Sequence, residues 1–119
     1  MDTNLVLRAA SAGNLTGDST LTDVDLQPMI DPLYLHILVP SVSTDDVLDV
    51  TADFEDASNN TLQRTELPQI SAAGHYVLPL FCDHPSLTDL SVILDATATG
   101  TAAMSFGAVV VYISNSRRS

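Results

Sequence analysis

Apolar residues alternate with polar ones over short runs of this chain, and Gly, Pro, Asn, Asp and Ser punctuate the gaps between the runs. That period belongs to the half-buried β-strand, whose successive side chains point to opposite sides. The segment LDVTADF and its flank show it best. Leu48, Val50, Ala52 and Phe54 share one face, and Asp49, Thr51, Asp53 and Glu55 share the other. A helix would scatter these carboxylates around its circumference, so the spacing selects a strand.

The same reading predicts a strand near Asn4 to Ala9 with Leu5 and Leu7 inward, and another near Thr20 to Leu26 with Val24 and Leu26 inward. The turn-rich SAGNLTGDS separates them. Leu33 to Val39 is apolar on both faces apart from His36 and sits between Pro32 and Pro40, which suits a strand buried on both sides. Thr61 to Leu67 is polar enough for an edge. In the run after Gly74, Tyr76, Leu78 and Leu80 share a face, while Pro79 cannot donate to a ladder and places this strand at an edge or a bulge. Leu90 to Ala98 alternates with Leu90, Val92, Leu94 and Ala96 on one side. The last strand, Phe106 to Ile113, is expected to put Phe106, Ala108, Val110 and Tyr112 on one face and Gly107, Val109, Val111 and Ile113 on the other. Seven or eight short strands with no amphipathic helix predict an all-β fold, an antiparallel β-sandwich of jelly-roll or Ig-like topology. A single domain over residues 1–119 is expected, with a flexible N-terminal segment and a flexible SNSRRS tail.

Composition sharpens this picture. An apolar fraction of 45% argues for a packed globule. No run reaches the roughly 20 apolar residues of a spanning helix, and the start MDTNLVLRAAS lacks a basic head and an apolar stretch of signal length, so a soluble chain made without an export signal is expected. Fifteen acidic residues face four arginines and no lysine, for a formal net charge of -11. Nucleic acid and anionic membrane are therefore unfavoured partners, because both demand clustered cations. Such an acidic surface keeps copies apart, can seek a basic docking surface, and also fits life in high salt.

Catalytic chemistry finds few components here. Cys82 is the single cysteine, so the fold relies on its core without an intrachain disulfide, and a lone Cys is ordinarily a small buried hydrophobe. Cys82, Asp83 and His84 are neighbours whose side chains diverge on an extended chain, which reads as a loop rather than a site. His36 and His75 read as satisfied or half-buried histidines, and zinc between them has no supporting spacing. The acidic run Asp45, Asp46, Asp49, Asp53, Glu55 and Asp56 does not match a calcium loop; it reads as the solvated face of a strand with Asp45 and Asp46 in the preceding turn. A glycosidase or sugar-binding groove would want aromatic platforms, and the chain has no Trp and 5% aromatics. The expectation is a protein that binds rather than catalyses, with no catalytic, metal or cofactor residues.

Four segments carry a family likeness: LDVTADFEDASNNT at 48–61, LPQISAAGHYVLPL at 67–80, LSVILDATATG at 90–100 and SFGAVVVYI at 105–113. Their order resembles that of capsid decoration (cement) proteins of tailed bacteriophages and related archaeal viruses, loosely over residues 30–113. The resemblance implies a virion structural protein, made in the host cytoplasm, that assembles as homotrimers on the outer capsid surface and bridges neighbouring major capsid protein subunits. A head-fibre or tail-associated module that recognises a host-surface ligand is the second reading, and a small hydrolase the third. Exposed ion pairs contribute roughly 0 to 1 kcal/mol each, so attachment is expected to rest on apolar and backbone contacts at strand edges. The candidate partner-binding residues are Leu5, Val6, Leu7, Arg8 and Arg64.

Overall fold

The computed structural model describes residues 4–26, 32–43, 45–81, 84–98 and 103–117. Among these, eight strands form: β1 (Asn4–Arg8), β2 (Ser19–Asp25), β3 (Leu33–Val39), β4 (Asp46–Glu55), β5 (Thr61–Glu66), β6 (Gly74–Leu80), β7 (Asp89–Ala98) and β8 (Val110–Ser114), with a single 3-10 turn at Ala10–Ala12. They make two four-stranded sheets, ordered β1-β8-β3-β6 and β2-β7-β4-β5, with every pairing antiparallel. Pairing β1 with β8, β2 with β7, β3 with β6 and β4 with β5 amounts to one long hairpin wrapped so that alternate rungs fall in opposite sheets. That order is a jelly roll, which decides between the two expected topologies.

Inward alternation builds the core. Leu35 and Ile37 of β3, Leu48, Val50 and Phe54 of β4, Leu90, Val92 and Leu94 of β7, and Val111 and Ile113 of β8 are buried between the sheets. β5 and β6 are edges as expected, and Pro79 stands on β6, whose outer side faces no further strand among the described residues.

The last expected strand differs. Pairing begins only at Val110, and Phe106 is fully buried although the simple alternation puts it opposite Val109 and Val111, which are buried too. The cause is Gly107, whose φ of 74° is left-handed and whose peptide, through a Val109 N–H bond to its carbonyl at 2.9 Å, resets the phase. A Cβ there would lie 2.8 Å from both Pro40 Cγ and Ser41 Oγ, so the chain needs glycine at this point.

The described part of the C-terminal segment contacts the first sheet. Asn115 donates to the Pro32 carbonyl at 2.9 Å, and the Arg117 guanidinium lies 5.3 Å from the Tyr34 ring centre. Residues 1–3 and 118–119, Cys82 and Asp83 lie outside the described residues.

Candidate binding seam

A sandwich has two lateral seams where the edges of its sheets meet. The sheet orders put the edge strands β5 and β6 at one seam and β1 and β2, which come into contact with each other, at the other. The first is stitched. Beyond β5 the chain keeps pairing with β4 through Leu67 and Ile70, drives Ile70 fully into the core, and crosses to β6. Gln63 of β5 adds a 2.9 Å bond to the Phe81 carbonyl beyond β6.

The second seam is open. Leu5, Val6 and Leu7 of β1 and Leu21, Thr22, Val24 and Asp25 of β2 line a groove of about 540 Å³ between the two edge strands. Leu5, Leu7 and Leu21 are only half-buried, and Val6 is 56% exposed. The register of β1 slips between Val6 and Arg8 and that of β2 between Leu21 and Val24, so both edges are bulged at the groove. Among the described residues each of these strands has a ladder partner on one side only, which leaves edge backbone groups beside an apolar slot.

Of the five residues expected to bind a partner, Leu5, Val6 and Leu7 come together at this groove. Arg8 is turned to the fold: it donates to the Val109 carbonyl at 2.7 Å and to the Gly13 carbonyl at 3.0 Å. Arg64 lies on β5, in the other sheet and at the other seam, where it grips Asp53 through two bonds of 2.7 and 2.9 Å. The contribution of β2 is not visible in the sequence, because only the wrapped topology brings Leu21 beside Leu5.

The acidic run is corrected in two places. Asp53 is 5% exposed because Arg64 folds across it, and Asp46, at the first position of β4, is buried where its carboxylate accepts the Ser105 N–H at 3.3 Å. The rest of the run follows the expected face. Asp49 pairs across the ladder with Asp95, and Glu55 with Asp89. The nearby Asp18 carboxylate, with Asp49 adding to it, pushes the Asp95 carboxyl up from its usual range. Asp56 goes the other way, held down by bonds from Asn60 and Ser58 in the β4–β5 turn. The first sheet contrasts with this: its strands NLVLR, LYLHILV, GHYVLPL and VVYIS contain no carboxylate.

On the outside of that first sheet the two histidines meet. His36 Nδ1 lies 2.8 Å from His75 Nε2, His36 Nε2 lies 2.7 Å from the Ser116 carbonyl, and the Tyr112 ring stacks on His36 at 4.5 Å. His36 is fully buried, as the sequence suggested for a satisfied histidine, but its pairing with His75 was not foreseen. Burial lowers its pKa from the ordinary imidazole range and raises that of Tyr112.

A second recess, of about 360 Å³, is lined by Pro32, Leu33, Tyr34, Pro79, Leu80 and Phe81, with Phe81 70% exposed. No group of three or more metal-ligating side chains forms among the described residues, and no described helix is long and apolar enough to cross a membrane.

The chain matches no protein-family model and no curated protein. In its fold it is similar to a chain of the solved structure of infectious bursal disease virus, Gx strain, with a TM-score of 0.58 at 12% identity, over 96% of this chain and 31% of that longer one. The likeness is one of fold: a jelly-roll sandwich that corresponds to under a third of a chain from a virus structure.

Proposed function

We propose that this chain is a non-enzymatic structural protein of a virus particle, a decoration protein that docks on the outer shell of a tailed virus and bridges adjacent major capsid protein subunits, as a homotrimer. The observation that carries the reading is the open apolar seam between β1 and β2, a binding feature with no catalytic set around it. The fold supports it, since jelly rolls serve in viral shells as well as in lectins and cupins, and the similar chain comes from a virus structure. The interior of this jelly roll is filled by side chains such as Phe54, Phe106 and Leu35, which leaves binding to the outside. The acidic second sheet suits a basic shell surface and sets orientation more than affinity.

The rival reading, a head-fibre or tail module that recognises a surface ligand, draws on the shallow recess between Tyr34 and Phe81. Quantitative mass spectrometry of purified particles separates the two. Decoration predicts a copy number comparable to that of the major capsid protein. A few copies per particle would favour the recognition module, and absence from particles would overturn both.

A further inference from the structure

Strand register places three ring side chains on the outer face of the first sheet. His36 of β3 stands directly opposite Tyr112 of β8 on one side and Val77 of β6 on the other, and His75 lies two positions from Val77, on the same face. Tyr112 stacks on His36 within 1° of parallel, and His36 Nδ1 meets His75 Nε2 at 2.8 Å. One nitrogen of each imidazole is therefore aimed at the same point.

The second nitrogen of His36 decides what the first can do. Nε2 lies 2.7 Å from the Ser116 carbonyl, which can only accept, so Nε2 carries the proton and Nδ1 presents a lone pair. A metal-ligating histidine has this arrangement: one ring N–H donates to a backbone carbonyl, which fixes the tautomer and the ring orientation, and the other nitrogen faces the ion. Tyr112 holds the ring plane as well. His36 is fully buried and His75 exposed, so the pair has one rigid half and one open half. With its proton on Nδ1, in contact with water, His75 turns its Nε2 lone pair to the same point as His36 Nδ1.

We propose that His36 and His75 form a binding site for one divalent transition-metal ion of the copper or nickel kind, which takes the place of the proton shared by the two nitrogens. Distance chooses the metal. Two metal–imidazole bonds of about 2.0 Å that span 2.8 Å subtend about 90°, the angle between neighbouring ligands of a tetragonal site, whereas tetrahedral zinc needs its nitrogens about 3.3 Å apart. Ligand type narrows the choice further. The four strands of this sheet contain no carboxylate, which disfavours calcium and magnesium, whose ligands are oxygens. The remaining positions open on the solvent side, past His75, and take water. The site is independent of whether the chain decorates a capsid.

The test is an NMR titration of the untagged full chain with Cu2+, in a buffer whose excess Mg2+ covers the acidic second sheet. Substoichiometric Cu2+ is expected to broaden the resonances of His36, His75, Val77 and Tyr112 first, before those of Asp49, Asp95 and His84, whose Nδ1 accepts the Ser86 N–H in a loop. The affinity, read by calorimetry, should fall in His75→Ala by at least about tenfold, the low end of what removing even an outer partner of a metal ligand costs. His84→Ala should leave it unchanged, and an unaltered circular dichroism spectrum shows that both variants fold. Broadening that begins at the acidic sheet, at His84 or at the amino terminus would overturn the site, as would equal Cu2+ affinity in His75→Ala.

Discussion

The two lateral seams of the sandwich are built from the same kind of short edge strand and end differently. Between β5 and β6 the chain itself closes the gap, with Ile70 fully buried and Gln63 tied to the Phe81 carbonyl. Between β1 and β2 the leucines stay half-exposed beside a groove of about 540 Å³. Edge strands with apolar side chains are an aggregation hazard that folded chains normally cover or charge. On the proposed function, one covered seam and one open seam do different work: the first holds the fold and the second is the surface offered to a partner. The bulges in β1 and β2 fit that division, because they discourage indiscriminate strand pairing while leaving the slot between the sheets accessible.

This contrast breaks if the seams respond alike to truncation. Ile70→Ala should lower unfolding stability by about 2 to 5 kcal/mol, the range for emptying a fully buried aliphatic site. Leu21→Ala, at the half-buried open seam, should cost about 1 kcal/mol or less. Equal losses in urea denaturation would remove the distinction. Gly107→Ala is the next largest effect. The Gly107 carbonyl accepts the Leu15 N–H at 2.8 Å, and the residue combines left-handed backbone with a Cβ position 2.8 Å from Pro40 and Ser41. A loss above about 1 kcal/mol is expected in the same assay; a neutral outcome would mean that the phase change before β8 does not depend on glycine.

How much of this was legible beforehand follows from which forces are local. LDVTADF declared its strand and its inward face because a period of two is a local property, and Leu48, Val50 and Phe54 are buried as it predicted. Phe106 misled because one left-handed peptide, invisible to a pattern of apolar residues, shifted the count. Arg64 reads in the sequence as a candidate partner contact, whereas β5, folded back along β4, sets it on Asp53. The groove was half legible: Leu5, Val6 and Leu7 were read from their own strand, whereas Leu21 and Val24 join them through the crossing of the sheets. His36 and His75 meet for the same reason, 39 positions apart on adjacent strands.

A smaller effect concerns the acidic sheet. The native Asp95 carboxyl holds its proton more tightly than the unfolded one, chiefly because of Asp18. Its contribution is thus favourable at low pH and is lost as pH rises through the native value. Asp95→Asn should therefore raise the melting temperature slightly at neutral pH, and the gain should shrink as salt is added. A fall in melting temperature would show that the carboxylate serves the fold in its charged form.

The central claim, that the seam between β1 and β2 is the binding surface, is tested most directly on purified particles. Deleting residues 1–8 is a poor probe, because it removes β1 and its ladder with β8. Val6→Asp and Leu21→Asp place a charge at the groove while keeping the strands. With wild-type protein and the two variants titrated onto undecorated shells over a range of salt, the account predicts that wild-type attachment persists at high salt and that both variants, folded by circular dichroism, bind at least about tenfold more weakly, a difference of about 1.4 kcal/mol. Release of the wild-type protein by moderate salt, together with normal binding of both variants, would contradict it.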